Sequence, residues 1–284
     1  MVAVDPCRGA TKTMRPSDCG LCCVREARAA MTSPGNIHVR HLLGVNDKRE
    51  RVVKASRDVT MNSKKVIFQV HRANKDNKEE VLSKAEKDLA ATTEQHMSRL
   101  VKELQGTDFW KLRRAYSFGV QEYVEAATFC RFCRKGSLLG LNEINSTLAP
   151  LSDQNDEPLQ INALDYLLGL ADLTGELMRL AIGRISDGEV DYAQKIRRFV
   201  QDIYRELTLL APLMDDNAEM KKKMETMLQS VMKIENVLLT FTAMNDHGGS
   251  TGDGNHGRRL RRTWRGPMKR NRTRRERLRP MRMT

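Results

Sequence analysis

The sequence predicts an all-α protein, an antiparallel bundle of six or seven long helices with poorly ordered termini. Composition points there first: aromatic residues make up 5% of 284 residues and there are only 8 prolines. Leu, Ala, Met, Lys, Arg and Glu are plentiful, and these are strong helix formers. Periodicity is the second observation, since apolar residues recur at three- and four-residue spacing through long stretches. The third is negative. No strand alternation, Gly-rich phosphate loop or repeat of fixed period interrupts the pattern.

Residues 1–45 carry Pro, Gly, Ser and four of the cysteines without sustained period, and are read as a poorly ordered leader. From Lys48 to about Ala73, Val52, Val59, Val66, Ile67 and Val70 predict a long amphipathic helix. A second, about Lys78 to Leu104, presents Val81, Leu82, Ala85, Leu89, Met97, Leu100, Val101 and Leu104. Gly106 marks a turn, and Asp108 suits the N-cap of a third helix, about Phe109 to Arg134. A short helical piece around Asn142 to Leu148 and a polar loop, 152–158, close the first half. The next helix runs from about Gln160 to Gly183 and is broken by Asp187-Gly188. Glu189 to about Leu210 follows, with Ile196, Phe199, Val200, Ile203, Tyr204 and Leu207 on one face. Asp215 to Met244 is the last helix. A helical domain thus spans 46–244, and 245–284 form a Gly-containing linker and an Arg-rich tail.

The net charge of +13 is unevenly spread. Residues 258–284 hold twelve Arg and one Lys against one Glu, a net +12, which leaves +1 for residues 1–257. An electrostatic argument for nucleic-acid contact therefore applies to the tail, where Trp264 lies among the arginines, and not to the body. The tail suits RNA phosphates or a nuclear-import signal, and a solvated tail with no specific partner competes with both. On the helices Arg57, Lys64, Lys65, Arg113 and Arg114 are candidates for RNA contact, most of them expected on solvated faces. No apolar run approaches the roughly 18 residues that a membrane-spanning helix needs. Met1 to Lys12 lacks the apolar stretch of a secretory signal, so an intracellular, reducing compartment is expected.

Cys19, Cys22 and Cys23 have the spacing of half a zinc knuckle, and Cys130 with Cys133 is its sole potential complement. Paired CxxC motifs are informative when both lie in short loops. Here one falls in the leader and the other within a helix, so ordinary reduced cysteines are expected.

Two stretches carry acids where a core helix should have none. Around Asp165–Arg179 the helix is apolar almost all round, through Leu164, Tyr166, Leu167, Leu170, Leu173, Leu177, Met178 and Leu180. Asp165, Asp172, Glu176 and Arg179 nonetheless fall on one narrow seam. Buried carboxylates without compensation are costly. A bound cation, a proton-transfer role or an ion-pair lock with Arg179 would each supply compensation. In the third helix Phe118, Glu122, Glu125 and Phe129 share a stripe, with the two glutamates one turn apart and Gln121 as their close polar neighbour.

These two acidic stretches, 118–126 and 165–179, resemble the translin family, in particular its translin-associated factor X group. Ser56-Arg-Asp-Val-Thr60, Lys65-Val-Ile-Phe68 with His71-Arg72, Asn142-Glu-Ile-Asn145 and Phe199-Val-Gln-Asp-Ile-Tyr204 add to the resemblance, which covers about 48–242. It implies a seven-helix α fold and a hetero-oligomer with translin that encloses RNA. It further implies a Mg²⁺-dependent endoribonuclease acting on single-stranded or nicked RNA, with roles in passenger-strand removal during RNA interference and in tRNA processing. Single-stranded DNA is a further implied ligand, no membrane is involved, and cytoplasm and nucleus are the expected locations. The family's catalytic acids map onto Glu122, Glu125 and Asp172, and its metal-contacting acids include Glu125 and Glu176. The leader and the segment beyond about Met244 have no counterpart in that pattern, and the loop 151–158 is short.

Read from the residues alone, two carboxylates at i, i+3 on one helix and two at i, i+4 on another can converge across a bundle. Oxygen donors with no His or Cys nearby suit Mg²⁺, with Mn²⁺ as the alternative. Glu125, Asp172 and Glu176 are the expected ligands, and Glu122 is either a ligand or the base that orients the attacking water. Asp165, a turn or more from Asp172, is expected to be an N-terminal helix charge favoured by the dipole. Two readings compete. Arg179 and other cations could simply pair with these acids, or the chain could be a non-catalytic, nucleic-acid-binding subunit that stabilises translin.

Overall fold

The structure is a computed structural model that describes residues 34–106, 108–152, 158–214 and 217–247. Among them every regular element is helical. The order is α1 (Pro34–Val70), α2 (Lys78–Ala91), a π-turn (Thr92–Met97), α3 (Ser98–Leu104), α4 (Phe109–Lys135), α5 (Leu141–Leu148), α6 (Ala163–Ser186), α7 (Val190–Leu210) and α8 (Ala218–His247), with short 3₁₀ turns after α5 and α7. The π-turn joins α2 and α3 into one rod, so the expected bundle of six long helices and one short one is what forms. None of these helices is long and apolar enough to cross a membrane. Leu239 opens a separate unit that takes in the last turns of α8. The leader cysteines and the Arg-rich tail lie outside the described residues.

Local chemistry explains the boundaries. Asp108 Oδ1 accepts from the Trp110 amide at 3.0 Å and caps α4 as expected. Gly136, at φ +70°, closes the same helix with its amide 2.7 Å from the Phe132 carbonyl. The second rod departs from regular helix where Thr92 and Thr93 turn their hydroxyls onto the Asp88 and Leu89 carbonyls, at 2.8 and 3.0 Å. Such back-bonding competes with the helical ladder. The first helix begins at Pro34, well before the Lys48 start that periodicity predicts. Gly44, Asn46 and Asp47 in the added length are exposed.

The packing order is α1 on α4, α4 on α6, and α6 on α7, with α2 and α3 against α1. Val52, Ala55, Val59, Val66 and Val70 of α1 are fully buried against this core, as are Leu168, Leu173 and Leu177 of α6. Two glycines let the central helices approach closely. A Cβ at Gly119 would fall 2.6 Å from the Ser56 carbonyl oxygen on α1. At Gly169 it would fall 2.9 Å from Val124 and from the Gln121 carbonyl oxygen. The second contact presses α6 against α4 next to the acidic residues. Residues 121–130 of α4 are consequently buried without a break.

Candidate active site

Four carboxylates meet where α4 and α6 touch: Glu122 and Glu125 from α4, Asp172 and Glu176 from α6. Each except Glu125 has a cationic neighbour. Lys64 Nζ of α1 lies 3.2 Å from Glu122 Oε1 and 6.0 Å above the Phe118 ring. Lys223 Nζ of α8 lies 2.6 Å from Asp172 Oδ2. His71 Nε2 lies 2.6 Å from Glu176 Oε2, and Arg179 Nη1 lies 2.6 Å from the same oxygen. The His71 ring packs on buried Phe129, centroids 4.8 Å apart.

The electrostatics follow from that distribution. Burial pushes the Glu125 carboxyl up, and the negative charges of Glu122, Asp172 and Glu176 push it further, to about 9 against an ordinary 4.5. Burial also raises Glu122, with Lys64 opposing and Asp172 and Glu176 adding to the rise. Glu176 moves the other way. Burial would raise it, but the His71 hydrogen bond and the Arg179 charge outweigh that and hold it below the ordinary value. Among the described residues no hydrogen bond or ion pair reaches the Glu125 carboxylate. It is a buried acid among acids, with the charge of Lys64 the opposing influence and too weak to offset burial.

That arrangement supports part of the expected metal chemistry. Among the described residues no three His, Cys, Asp or Glu side chains already surround one point as metal ligands do. The donor set itself suits a hard divalent cation, since all four groups are carboxylates and the deficit of positive charge is centred on Glu125. Glu125, Asp172 and Glu176, with Glu122 beside them, are the residues that would hold it. The cysteines offer no rival. Cys130 and Cys133 are free and buried on α4, burial pushing the Cys133 thiol up to about 12 and Cys130 higher still.

Several expectations are corrected by this geometry. Asp165 is fully buried and is not merely a helix-dipole charge: Arg113 grips it at 2.6 and 3.1 Å, and Asn162 and Gln121 donate to it at 2.6 and 3.1 Å. Arg113, expected among the solvent-facing RNA candidates, is therefore committed to an internal ion pair. Phe118, at one end of the aromatic-ended stripe, is 60% exposed, while Phe129 at the other end is fully buried. Lys64 is among the expected candidates for RNA contact, whereas nothing in the sequence marks His71 and Lys223 as site residues. His71 and Lys64 lie in or beside the motif 65–72. Lys223 is one of three consecutive lysines, 221–223, that nothing in the sequence tells apart.

The sequence model of the Translin family matches residues 47–242. A Rattus norvegicus protein named Translin-associated protein X is 38% identical over 209 residues, which cover 67% of this chain and 71% of that protein. Among solved structures, apo-NeC3PO is similar with a TM-score of 0.57 at 19% identity, covering 74% of this chain and 98% of that one. A duplex RNA complex of AfC3PO is similar with a TM-score of 0.50 at 19% identity, covering 74% of this chain and 96% of that one. At such identities the structural likeness is one of fold. The match over residues 47–242 and the identity to the rat protein show that this chain belongs to the translin family.

Proposed function

We propose that the chain is the catalytic subunit of a hetero-oligomer with translin, a Mg²⁺-dependent endoribonuclease acting on single-stranded or nicked RNA. The observation that carries this reading is Glu125, a buried carboxylate facing three others that no ion pair or hydrogen bond from the described residues reaches. A core tolerates such a group when something outside the chain supplies the charge. When bound, Mg²⁺ would lower the pKa of a water and neutralise charge building on the phosphodiester. Mn²⁺ is the alternative ion.

The chain's own residues divide the remaining work. Glu125, Asp172 and Glu176 would hold the ion. Glu122 lies at the edge where Lys64, 56% exposed in its side chain, reaches solvent. Itself only 9% exposed in its side chain, it either joins the ligands or orients the attacking water. Lys64 and the exposed Phe118 ring offer an incoming strand a phosphate contact and an apolar face. AfC3PO, of the same fold, is known as a duplex RNA complex, which supports RNA as the ligand class. Passenger-strand removal in RNA interference and tRNA processing, in cytoplasm and nucleus, are the settings this activity fits. Leu209 and Leu213 at the end of α7, and Leu228 and Met232 on α8, are 68%, 82%, 42% and 52% exposed. Large exposed apolar side chains of this kind support a partner subunit.

A second reading has its own observation. Glu122, Asp172 and Glu176 already pair with Lys64, Lys223, His71 and Arg179, as they would in a non-catalytic subunit that binds nucleic acid and stabilises translin. A fluorescent single-stranded RNA, incubated with the co-purified complex in Mg²⁺ or in EDTA, separates the two. Cleavage confined to Mg²⁺ supports the enzyme, and binding without cleavage in both supports the second reading.

A further inference from the structure

Beneath the acids lies a polar chain to which the proposed reaction gives no role. Lys223 on α8 keeps 18% of its side chain exposed. An ammonium withdrawn that far from water needs acceptors in compensation. It has three: Asp172 Oδ2 at 2.6 Å, Gln121 Oε1 at 3.0 Å and the Leu168 carbonyl at 3.3 Å. Glu219 Oε1 stands farther off, at 3.8 Å. These acceptors come from α4 and α6, so one amine ties the two acid-bearing helices to α8.

The other end of the chain fixes which way Gln121 faces. Its Nε2 donates to Asp165 Oδ1 at 3.1 Å. An ionised carboxylate only accepts, so it selects the amide nitrogen and turns the amide oxygen toward Lys223. Asp165 is itself immobile, gripped by Arg113 and Asn162. The series Arg113, Asp165, Gln121, Lys223, Asp172 thus alternates donor and acceptor from the start of α6 to the acid site. Every link is a direct contact within 3.1 Å. Lys223 engages one oxygen of Asp172, and Oδ1 accepts no hydrogen bond from the described residues.

We propose that Lys223 is a positioning residue: held by Gln121, whose amide Asp165 orients, it fixes the Asp172 carboxylate with one oxygen engaged and the other free for the acid site. The proposal rests on the endoribonuclease reading, in which Asp172 serves the cation. Outer contacts of this kind typically change metal affinity or activity 10- to 100-fold when removed. The competing role is that of a plain counter-charge, and the two predict opposite signs. Removing a nearby positive charge should tighten cation binding by electrostatics alone. Releasing the carboxylate from its fixed orientation should weaken it.

The test uses the full-length chain co-purified with its translin partner, as wild type, Lys223→Met, Lys223→Arg, Gln121→Met and the double Met variant. Mn²⁺ binding is measured by calorimetry, and single-stranded RNA cleavage is resolved into kcat and KM. Lys223→Met is expected to weaken Mn²⁺ binding about tenfold and lower kcat by 10- to 100-fold, with KM changed less than about threefold. Lys223→Arg should recover part of both. Gln121→Met should shift both in the same direction, and the double variant should fall no further than Lys223→Met, because the two act in series. Tighter or unchanged Mn²⁺ binding with kcat intact would overturn the proposal, as would full additivity in the double variant. Where Lys223→Met does not fold, the arginine and Gln121 variants decide by the same readings. A wild-type complex that binds Mn²⁺ without cleaving removes the endoribonuclease reading, and the Mn²⁺ comparison then decides the positioning role alone. A wild type that neither binds Mn²⁺ nor cleaves overturns both.

Discussion

Gly169 on α6 sits so close to Val124 on α4 that a β-carbon added at the glycine would lie 2.9 Å from the valine side chain. That contact brings α6 down onto the helix face carrying Glu122 and Glu125, and places Asp172 opposite them. Gly169→Ala should therefore push the helices apart, costing about 1–3 kcal/mol as overpacking does and lowering RNA cleavage. Gly175, on the same helix, has nothing within 4 Å of such a carbon. Gly175→Ala should stabilise the chain by about 0.5–1 kcal/mol through helix propensity alone. Urea unfolding of both variants beside the wild type checks the contrast. Equal effects at the two glycines would contradict it.

Arg113 and Asp165 make a fork-like contact, two nitrogens onto two carboxylate oxygens at 2.6 and 3.1 Å, with Asp165 fully buried. Removing one partner of a buried pair strands the other charge, which costs about 3–5 kcal/mol. Arg113→Ala is expected to lose stability on that scale and to leave the salt dependence of RNA binding almost unchanged. A variant of wild-type stability with a shallower salt slope would return Arg113 to the RNA-binding surface.

Glu125 sets a pH dependence whose sign is fixed by its environment. Its ordinary value is 4.5 and burial among carboxylates pushes it to about 9. Between those values the folded chain holds a proton that the unfolded chain has released. Its contribution to stability is thus complete below about pH 4.5 and is lost as pH rises toward 9, with a slope of up to about 1.4 kcal/mol per pH unit. Glu125→Gln should flatten the profile in EDTA. Saturating Mg²⁺ should flatten the wild-type profile too, because a bound cation favours the ionised form. Denaturation midpoints between pH 5 and 9 check this, and a wild-type profile no steeper than that of Glu125→Gln would contradict it.

The tail holds twelve Arg and one Lys against one Glu, so most of the chain's net +13 belongs to residues 258–284. Deleting them should leave the Mg²⁺-dependent kcat intact while reducing both RNA affinity and its dependence on salt, since each phosphate neutralised adds roughly 0.7 to the slope for single strands. An unchanged slope in titrations at several salt concentrations would assign the affinity to the helical body.

The acid-bearing helices were legible in the sequence because Glu122, Glu125, Asp172 and Glu176 interrupt stretches otherwise apolar all round, and an interruption in a core helix stands out. Of their cationic neighbours, Arg179 was legible on the same seam, whereas His71 and Lys223 were not. Lys221, Lys222 and Lys223 look alike along the chain, and only the lie of α8 turns the third toward Asp172 and Gln121. His71 follows the last turn of α1 and gains its meaning from Glu176, 105 residues away. Phe118 and Phe129 share a stripe yet differ in burial, because a stripe is a matter of angle whereas burial also depends on where the neighbouring helix begins to cover it. Coverage is continuous only from Gly119 onward. The start of α1 at Pro34 was not legible, because residues 34–47 carry Pro34, Gly35 and Gly44, poor helix formers, and no sustained period.

The most direct test of the central claim compares the wild-type complex with Glu125→Ala on a fluorescent single-stranded RNA, each in Mg²⁺ and in EDTA. The expected result is cleavage by the wild type in Mg²⁺ alone, and none by the variant in either condition. The variant should keep its helical content and its association with translin. Undiminished Mg²⁺-dependent cleavage by Glu125→Ala would contradict the assignment of the acid site, and binding without cleavage by the wild type would contradict the enzyme itself.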